Sequence, residues 1–371
     1  MPKYCYTESK NYILAGRILT MRIKRTSVLF LLFLLVGKAF AQVGGEGTYA
    51  FLNLVTTPRL AALGGKVASF DDPELGLALY NPSLLTSNMH NQFALSYVGY
   101  YAGIRYGSVM YSRNVDKVGT FAVGVMQVNY GSFIEANETG TITGSFTASD
   151  MAINLLYSRT FDSIFTIGVN VKPIYSHLYT YKSTGIAADF GFNYSHPNRL
   201  FSAGIVFRNV GTMLKPYTPD TWQNLPFEIV AGFSKKLAHA PFRIVATFHQ
   251  LQNFNIYYNR PKTDNTITGL SDNTKDSKLK TISNEALSHL ILGVEFVPFK
   301  SFCFRAGYNY QRRNELKVEE NLSSVGFSWG FGIRISKFQL SYGQSKYHLA
   351  GSTKYFSITT DLDDLFGWNK L

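Results

Sequence analysis

The chain has 371 residues, 46% of them hydrophobic, 15% aromatic and 16% charged, with 31 Gly. That is ample apolar material for a large core, yet no run approaches the roughly 18 apolar residues of a spanning helix. The formal charge of +12 does not mark a nucleic-acid binder: residues 1–41 hold seven Lys or Arg against one Glu, leaving 29 cations and 23 anions, or +6, with no basic stripe to present them.

Met21 to Ala41, MRIKRTSVLFLLFLLVGKAFA, reads as a secretory signal. Arg22, Lys24 and Arg25 form its basic start, Val28 to Val36 its nine-residue apolar core, and Ala39-Phe40-Ala41 an A-x-A cleavage site. The apolar run is too short for an anchor helix, and no Cys follows it to accept a lipid. Residues 1–20 do not resemble a signal and read as an upstream extension. Export leaves Cys303 as the one cysteine of the mature chain, so no disulfide is expected; no His is patterned beside it for thiol catalysis.

Residues 42–90 are not cleanly alternating. Leu60 to Leu63 suggest a short helix broken by Gly64-Gly65, and Asn81-Pro82-Ser83 is a turn signal in which Ser83 is placed to cap a helix over Leu84-Leu85. The segment reads as a hatch packed inside a barrel.

From residue 91 onward the pattern changes to a period of two. In Val325 to Ile335, Val325, Phe327, Trp329, Phe331, Ile333 and Ile335 share one face, opposite Gly326, Ser328, Gly330, Gly332 and Arg334. Similar runs fall at 91–98, 103–113, 118–130, 148–159, 164–178, 185–195, 200–210, 226–236, 241–252, 287–298, 302–312, 325–335, 338–345 and 354–362. Fourteen segments with bulky apolar residues on one face and small, polar or charged ones on the other predict an all-β fold: a 14-stranded antiparallel transmembrane β-barrel spanning 91–371. Connections after even segments, such as 114–117, 160–163 and 336–337, are short. Those after odd segments, 131–147, 211–225, 253–286 and 313–324, are longer and are expected to face outward, with both termini periplasmic.

Alternation places Arg105, Lys172, Glu228, Arg243, Glu295 and Arg305 in the lumen, where ion pairing with the hatch is favoured over a conduction path. Tyr97, Tyr100, Tyr101, Tyr179 and Tyr181 fall near outward strand ends, as an interfacial girdle requires.

The hatch carries a resemblance. ALGG at Ala62 to Gly65, the acidic pair Asp71-Asp72 and YNPSLL at Tyr80 to Leu85 resemble the FadL-type outer-membrane barrel superfamily. The longer run GGEGTYAFLNLVTTPRLAALGG is most similar to the PorQ-like barrels of its PorV/PorQ branch. That resemblance implies a non-enzymatic role in the type IX protein secretion system of Bacteroidota. It implies a PorZ-like surface protein anchored through the outward loops. It also implies indirect partnership with a PorU-like sortase and a PorV-like barrel, beside membrane lipids and lipopolysaccharide. The alternative the superfamily implies is an outer-membrane transporter of hydrophobic small molecules.

Catalytic and metal motifs are weak. Ser271-Asp272-Asn273 and the Ser277/Lys280 pair echo serine acyl-enzymes, but their order is reversed, they sit in a polar loop and no K-T-G exists. The His at 90, 177, 196, 239, 249, 289 and 348 are scattered, and Asp361, Asp363 and Asp364 lack the oxygen count of a calcium loop. No catalytic, cofactor-binding or metal residue is expected, and no nucleic acid.

Overall fold

The computed structural model describes residues 47–254, 256, 278–316, 324–348 and 351–367. The signal at 21–41, the Ser271–Asn273 string and Ser277 lie outside them. Fourteen antiparallel strands form one closed barrel. They are β1 Gln92–Gly99, β2 Arg105–Val115, β3 Gly119–Ala136, β4 Ile142–Phe161, β5 Phe165–Leu178, β6 Tyr181–Ser195 and β7 Phe201–Lys215, then β8 Glu228–Lys236, β9 Phe242–Phe248, β10 Leu290–Phe299, β11 Phe302–Asn309, β12 Phe327–Ile335, β13 Phe338–His348 and β14 Gly351–Asp361. Each pairs with its sequence neighbours, and β1 closes on β14 from Gln92↔Asp361 to Gly99↔Lys354. Closure pairs both edges of the sheet, as a bilayer without water demands. No described helix is long and apolar enough to cross a membrane.

The period-two pattern resolves into an outside and an inside. Phe121, Val123, Leu155, Phe192, Phe304 and Trp329 stand exposed on the exterior, while Thr120, Ala122, Asn154, Asn193, Arg305 and Ser328 from the same strands are buried.

The lumen is filled by residues 47–91. The hatch carries α1, Pro58–Ala62, and short 3-10 turns at Ala50–Asn53, Leu75–Leu79, Pro82–Leu84 and Ser87–Met89. Leu60, Leu63, Leu75, Leu77, Leu85 and Met89 are almost wholly buried, in one core with wall residues such as Val98, Met110, Met126, Leu156 and Tyr355. Burying each such side chain contributes roughly 1.5–3 kcal/mol. Pro58 starts α1, where a missing N–H costs nothing. Gly64 and Gly65, at φ 99° and 101°, end it. Asn81, not Ser83, caps the turn at 82–84: its Oδ1 accepts from Ser83 N at 3.0 Å. Ser83 lies inside the turn, because Pro82 takes its first position.

Two sequence readings need correction. The segment 131–147 is not a loop. The β3–β4 ladder continues through Ser132↔Thr147, Phe133↔Phe146 and Glu135↔Gly144, and only 137–141 turn, with Asn137 Oδ1 accepting from Thr139 N and Thr141 N at 3.1 and 2.9 Å. Ser, Thr and Gly there look like loop residues, but paired Thr, Ile and Phe support a strand. For the same reason β7 runs on to Lys215, past the expected boundary at 210. The alternation of short and long connections is also not strict, since β5 and β6 are joined by 179–180 alone. The described hatch starts at the end of the barrel with the long connections: Gly47 is packed against the backbone of Asn224 and Leu225. The expected mature start at Gln42 lies outside the described residues.

Gly168 and Gly191 hold the hatch by what they lack. A Cβ on Gly168 would collide with the Pro82–Ser83 backbone and one on Gly191 with the Asn81 side chain. Gly168→Val is expected to displace this turn while leaving strand pairing intact, lowering stability by about 1–3 kcal/mol as overpacking does. Denaturant unfolding in vesicles, paired with proteolysis of residues 66–90, measures both effects.

Candidate functional site: the hatch–wall ion networks

The densest polar cluster joins the hatch to strands β9, β10 and β11. Glu295 sits at its centre, buried to 1% exposure. Arg59 of α1 grips it with two bonds, Nε to Oε1 at 2.7 Å and Nη2 to Oε2 at 2.8 Å. Arg243 donates to Oε2 at 2.7 Å and Arg305 to Oε1 at 2.9 Å. Arg59 also reaches Glu74 at 3.1 Å and Asp72 at 2.9 Å, while Arg243 Nη2 donates to Asp72 Oδ1 at 2.8 Å. Three guanidiniums meet three carboxylates, so the buried cluster carries no net charge. The Arg59 guanidinium also lies 4.2 Å from the centre of the Phe70 ring.

Burial alone would raise the Asp72 carboxyl; the Arg59 and Arg243 guanidiniums overcome it and hold the group well below the usual carboxylate range. Asp72 lies at the short-turn mouth with its side chain 45% exposed, so part of that attraction is screened by water.

Two smaller networks lie along the wall. Glu228 pairs with Lys66 of the hatch and with Arg208, at 3.4 Å, whose Nη2 donates to Leu52 O at 3.0 Å. Lys172 pairs with Asp189 at 2.7 Å and donates to Asn209 Oδ1 at 2.6 Å.

Five of the six lumen charges read from alternation, Lys172, Glu228, Arg243, Glu295 and Arg305, are buried in these networks. Arg105 is not: it is exposed at the first position of β2, whose inward positions are Tyr106, Ser108 and Met110. Ser108 and Ser112 share the inward face with Tyr106 and Met110, so alternation here offers no cleanly apolar side. The tyrosine girdle is partly as read, with Tyr97, Tyr101, Tyr179 and Tyr181 exposed; Tyr100 instead packs against the core and stacks on Tyr101 at 3.8 Å. Asp361 and Asp363 close the chain end. Asp361 Oδ1 caps α2, Leu362–Phe366, and Asp363 accepts from Asn91 Nδ2 at 2.7 Å. Among the described residues no group of three or more His, Cys, Asp or Glu is placed to hold a metal.

Sequence reasoning left Arg59, Lys66, Glu74, Asp189 and Arg208 unassigned. Arg59 was the findable one, a lone cation in the otherwise apolar PRLAALGG run.

No protein-family model and no curated protein sequence matches the chain. Solved structures do. The Ralstonia pickettii toluene transporter TbuX aligns with a TM-score of 0.51 at 10% identity, over 84% of this chain and 100% of that one. The Pseudomonas putida toluene transporter TodX aligns at 0.48 and 12%, over 82% and 96%. A Pseudomonas aeruginosa FadL homologue aligns at 0.44 and 9%, over 82% and 98%. The chain thus shares the barrel fold of TbuX. Within that fold, the lumen is occupied by residues 47–91, held by ion pairs to strands β8, β9 and β10.

Glu295→Gln is expected to cost about 3–5 kcal/mol, because it leaves buried guanidiniums uncompensated. Adding Arg305→Leu should recover part of the loss, as read by urea unfolding in vesicles. The Asp72 contribution should follow pH with a definite sign. A carboxyl whose folded pKa is depressed stabilises fully above its unfolded value of about 3.9 and loses that stabilisation as pH falls below it. Hydrogen exchange across 66–74 should therefore stay slow from pH 7 to about 5 and rise below about 4.

Proposed function

We propose that the protein is a plugged outer-membrane barrel that works as an anchor in the type IX secretion system, holding a PorZ-like surface protein by its outward end. One observation carries this reading beyond the hatch motif. The lumen is packed with a hatch whose backbone lies against wall glycines and whose charges are neutralised by the wall, an arrangement suited to a rigid post. The end with long connections is taken as extracellular and the short turns as periplasmic. The partner surface would then include the β3–β4 hairpin, which rises well past the 9–11 residues a membrane strand needs and exposes Phe133, Ile134 and Ile142. The connection at 216–227, with its exposed Trp222, would lie beside it.

A second reading, an outer-membrane transporter of hydrophobic small molecules, is favoured by the fold shared with a toluene transporter. It requires the hatch to move aside or the wall to open beside it.

A mild-detergent pull-down of tagged protein from its own outer membrane, with mass spectrometry, separates the two. Near-stoichiometric recovery of a large surface protein with a sortase-like protease supports the anchor. Recovery of the barrel alone, together with uptake of a hydrophobic solute by barrel-containing vesicles, overturns it in favour of transport.

A further inference from the structure

At the short-turn end, a cavity of about 300 Å³ opens between the bases of β10, β11 and β12. That is the lower end of the size range of small-molecule sites. Its lining is asymmetric in charge. Arg59, Lys300, Arg305 and Arg334 contribute four cations, and Asp72 and Glu295 two carboxylates. Both carboxylates are already spent on Arg59 and Arg243.

One buried donor remains free. Arg305 is 3% exposed and uses its Nε on Glu295, but its Nη1 has no acceptor among the described residues. The space that Nη1 faces exists because residue 332 is Gly: a Cβ there would come within 2.8 Å of Cys303 Sγ and 3.1 Å of Arg305 Nη1. An unmet buried N–H of a cation is costly, and a charged acceptor would recover that cost. The entrance carries Lys300 and Arg334 beside the exposed rings of Phe299 and Phe302, so cationic and apolar groups meet at one rim of the barrel. A guanidinium backed by further cations matches a phosphate, and basic pockets at a membrane boundary take lipid headgroups.

We propose that this cavity binds a phosphate-type oxyanion, with a phosphate oxygen on Arg305 Nη1 and Lys300 and Arg334 at the entrance. Two sources share that chemistry, the headgroup of a glycerophospholipid in the adjoining leaflet and free phosphate.

Cys303 lines the same cavity and provides the reporter. The full-length exported protein, purified in neutral detergent, is labelled with a small methanethiosulfonate, and the rate is read on the Cys303 peptide by mass. The arms are inorganic phosphate, glycerophosphoethanolamine, lipid nanodiscs containing phosphatidylethanolamine and phosphatidylglycerol, and chloride at matched ionic strength. A ligand at ten times its Kd should slow labelling about tenfold, and chloride should not. Slowing by lipid and its soluble headgroup, without slowing by phosphate, assigns the headgroup; slowing by phosphate assigns the free ion. Lys300→Gln with Arg334→Gln, both at the rim, should weaken protection several-fold while the barrel still folds by heat-modifiability on gels. Gly332→Ala, which fills the space, should abolish it. Equal labelling rates in all arms, or full protection retained in the rim double variant, overturns the proposal.

Discussion

The pairing of Arg59 with Glu295 is the constraint on which the rest of the molecule depends. A guanidinium in the lumen of a membrane barrel has nowhere to shed its charge, and a carboxylate on the wall has the same difficulty. Each would be costly alone, since removing one partner of a buried pair leaves an uncompensated ion. Together, with Arg243, Arg305, Asp72 and Glu74, they form a neutral cluster in which hatch and wall supply complementary halves. The wall half carries a surplus of guanidinium, and the hatch half returns the acids that balance it. Neither half is satisfied without the other, so hatch and barrel behave as one folding unit.

The apolar packing follows from the same placement. Once Arg59 is fixed, α1 lies along the inner wall, close enough that Ser328 Oγ donates to Ala62 O at 2.9 Å and Asn309 Nδ2 to Gly64 O at 3.2 Å. Backbone this near to a sheet tolerates few side chains between. Gly330 of β12, with Gly307 of β11 and Gly343 of β13, forms the contact surface for this helix, and Gly168 and Gly191 do the same for the turn at 82–84. Leu60, Leu63, Leu75 and Leu77 then fill what remains, which is why so many hatch leucines have almost no exposure.

Much of the architecture was legible in the chain. Alternation in 302–312 and 325–335 identified strands, outward faces and most inward charges, because a membrane barrel imposes opposite chemistry on the two faces of each strand. Where strands leave the bilayer that constraint lapses, so the continuation of β3 and β4 through 131–147 read as loop and Arg105 was set on the wrong side. The networks were half visible. Wall charges betray themselves against a small-residue background, whereas their hatch partners, Arg59 and Glu74, sit in irregular backbone with no periodicity to orient them. Which acid meets which base is decided by the path of residues 47–91 through the lumen, and no local pattern encodes that path.

That path has a topological consequence. The segment begins at one mouth of the barrel, beside Asn224, and joins β1 at the other. It is a rod through a ring, and the β1–β14 seam is the ring's clasp. Such a chain cannot be plugged after the ring has shut except by passing a free end through it. The order of assembly is therefore restricted: either the rod lies in place before the clasp fastens, or the N-terminal end is drawn through. Once fastened, a pull on Gly47 would be borne by the whole cylinder.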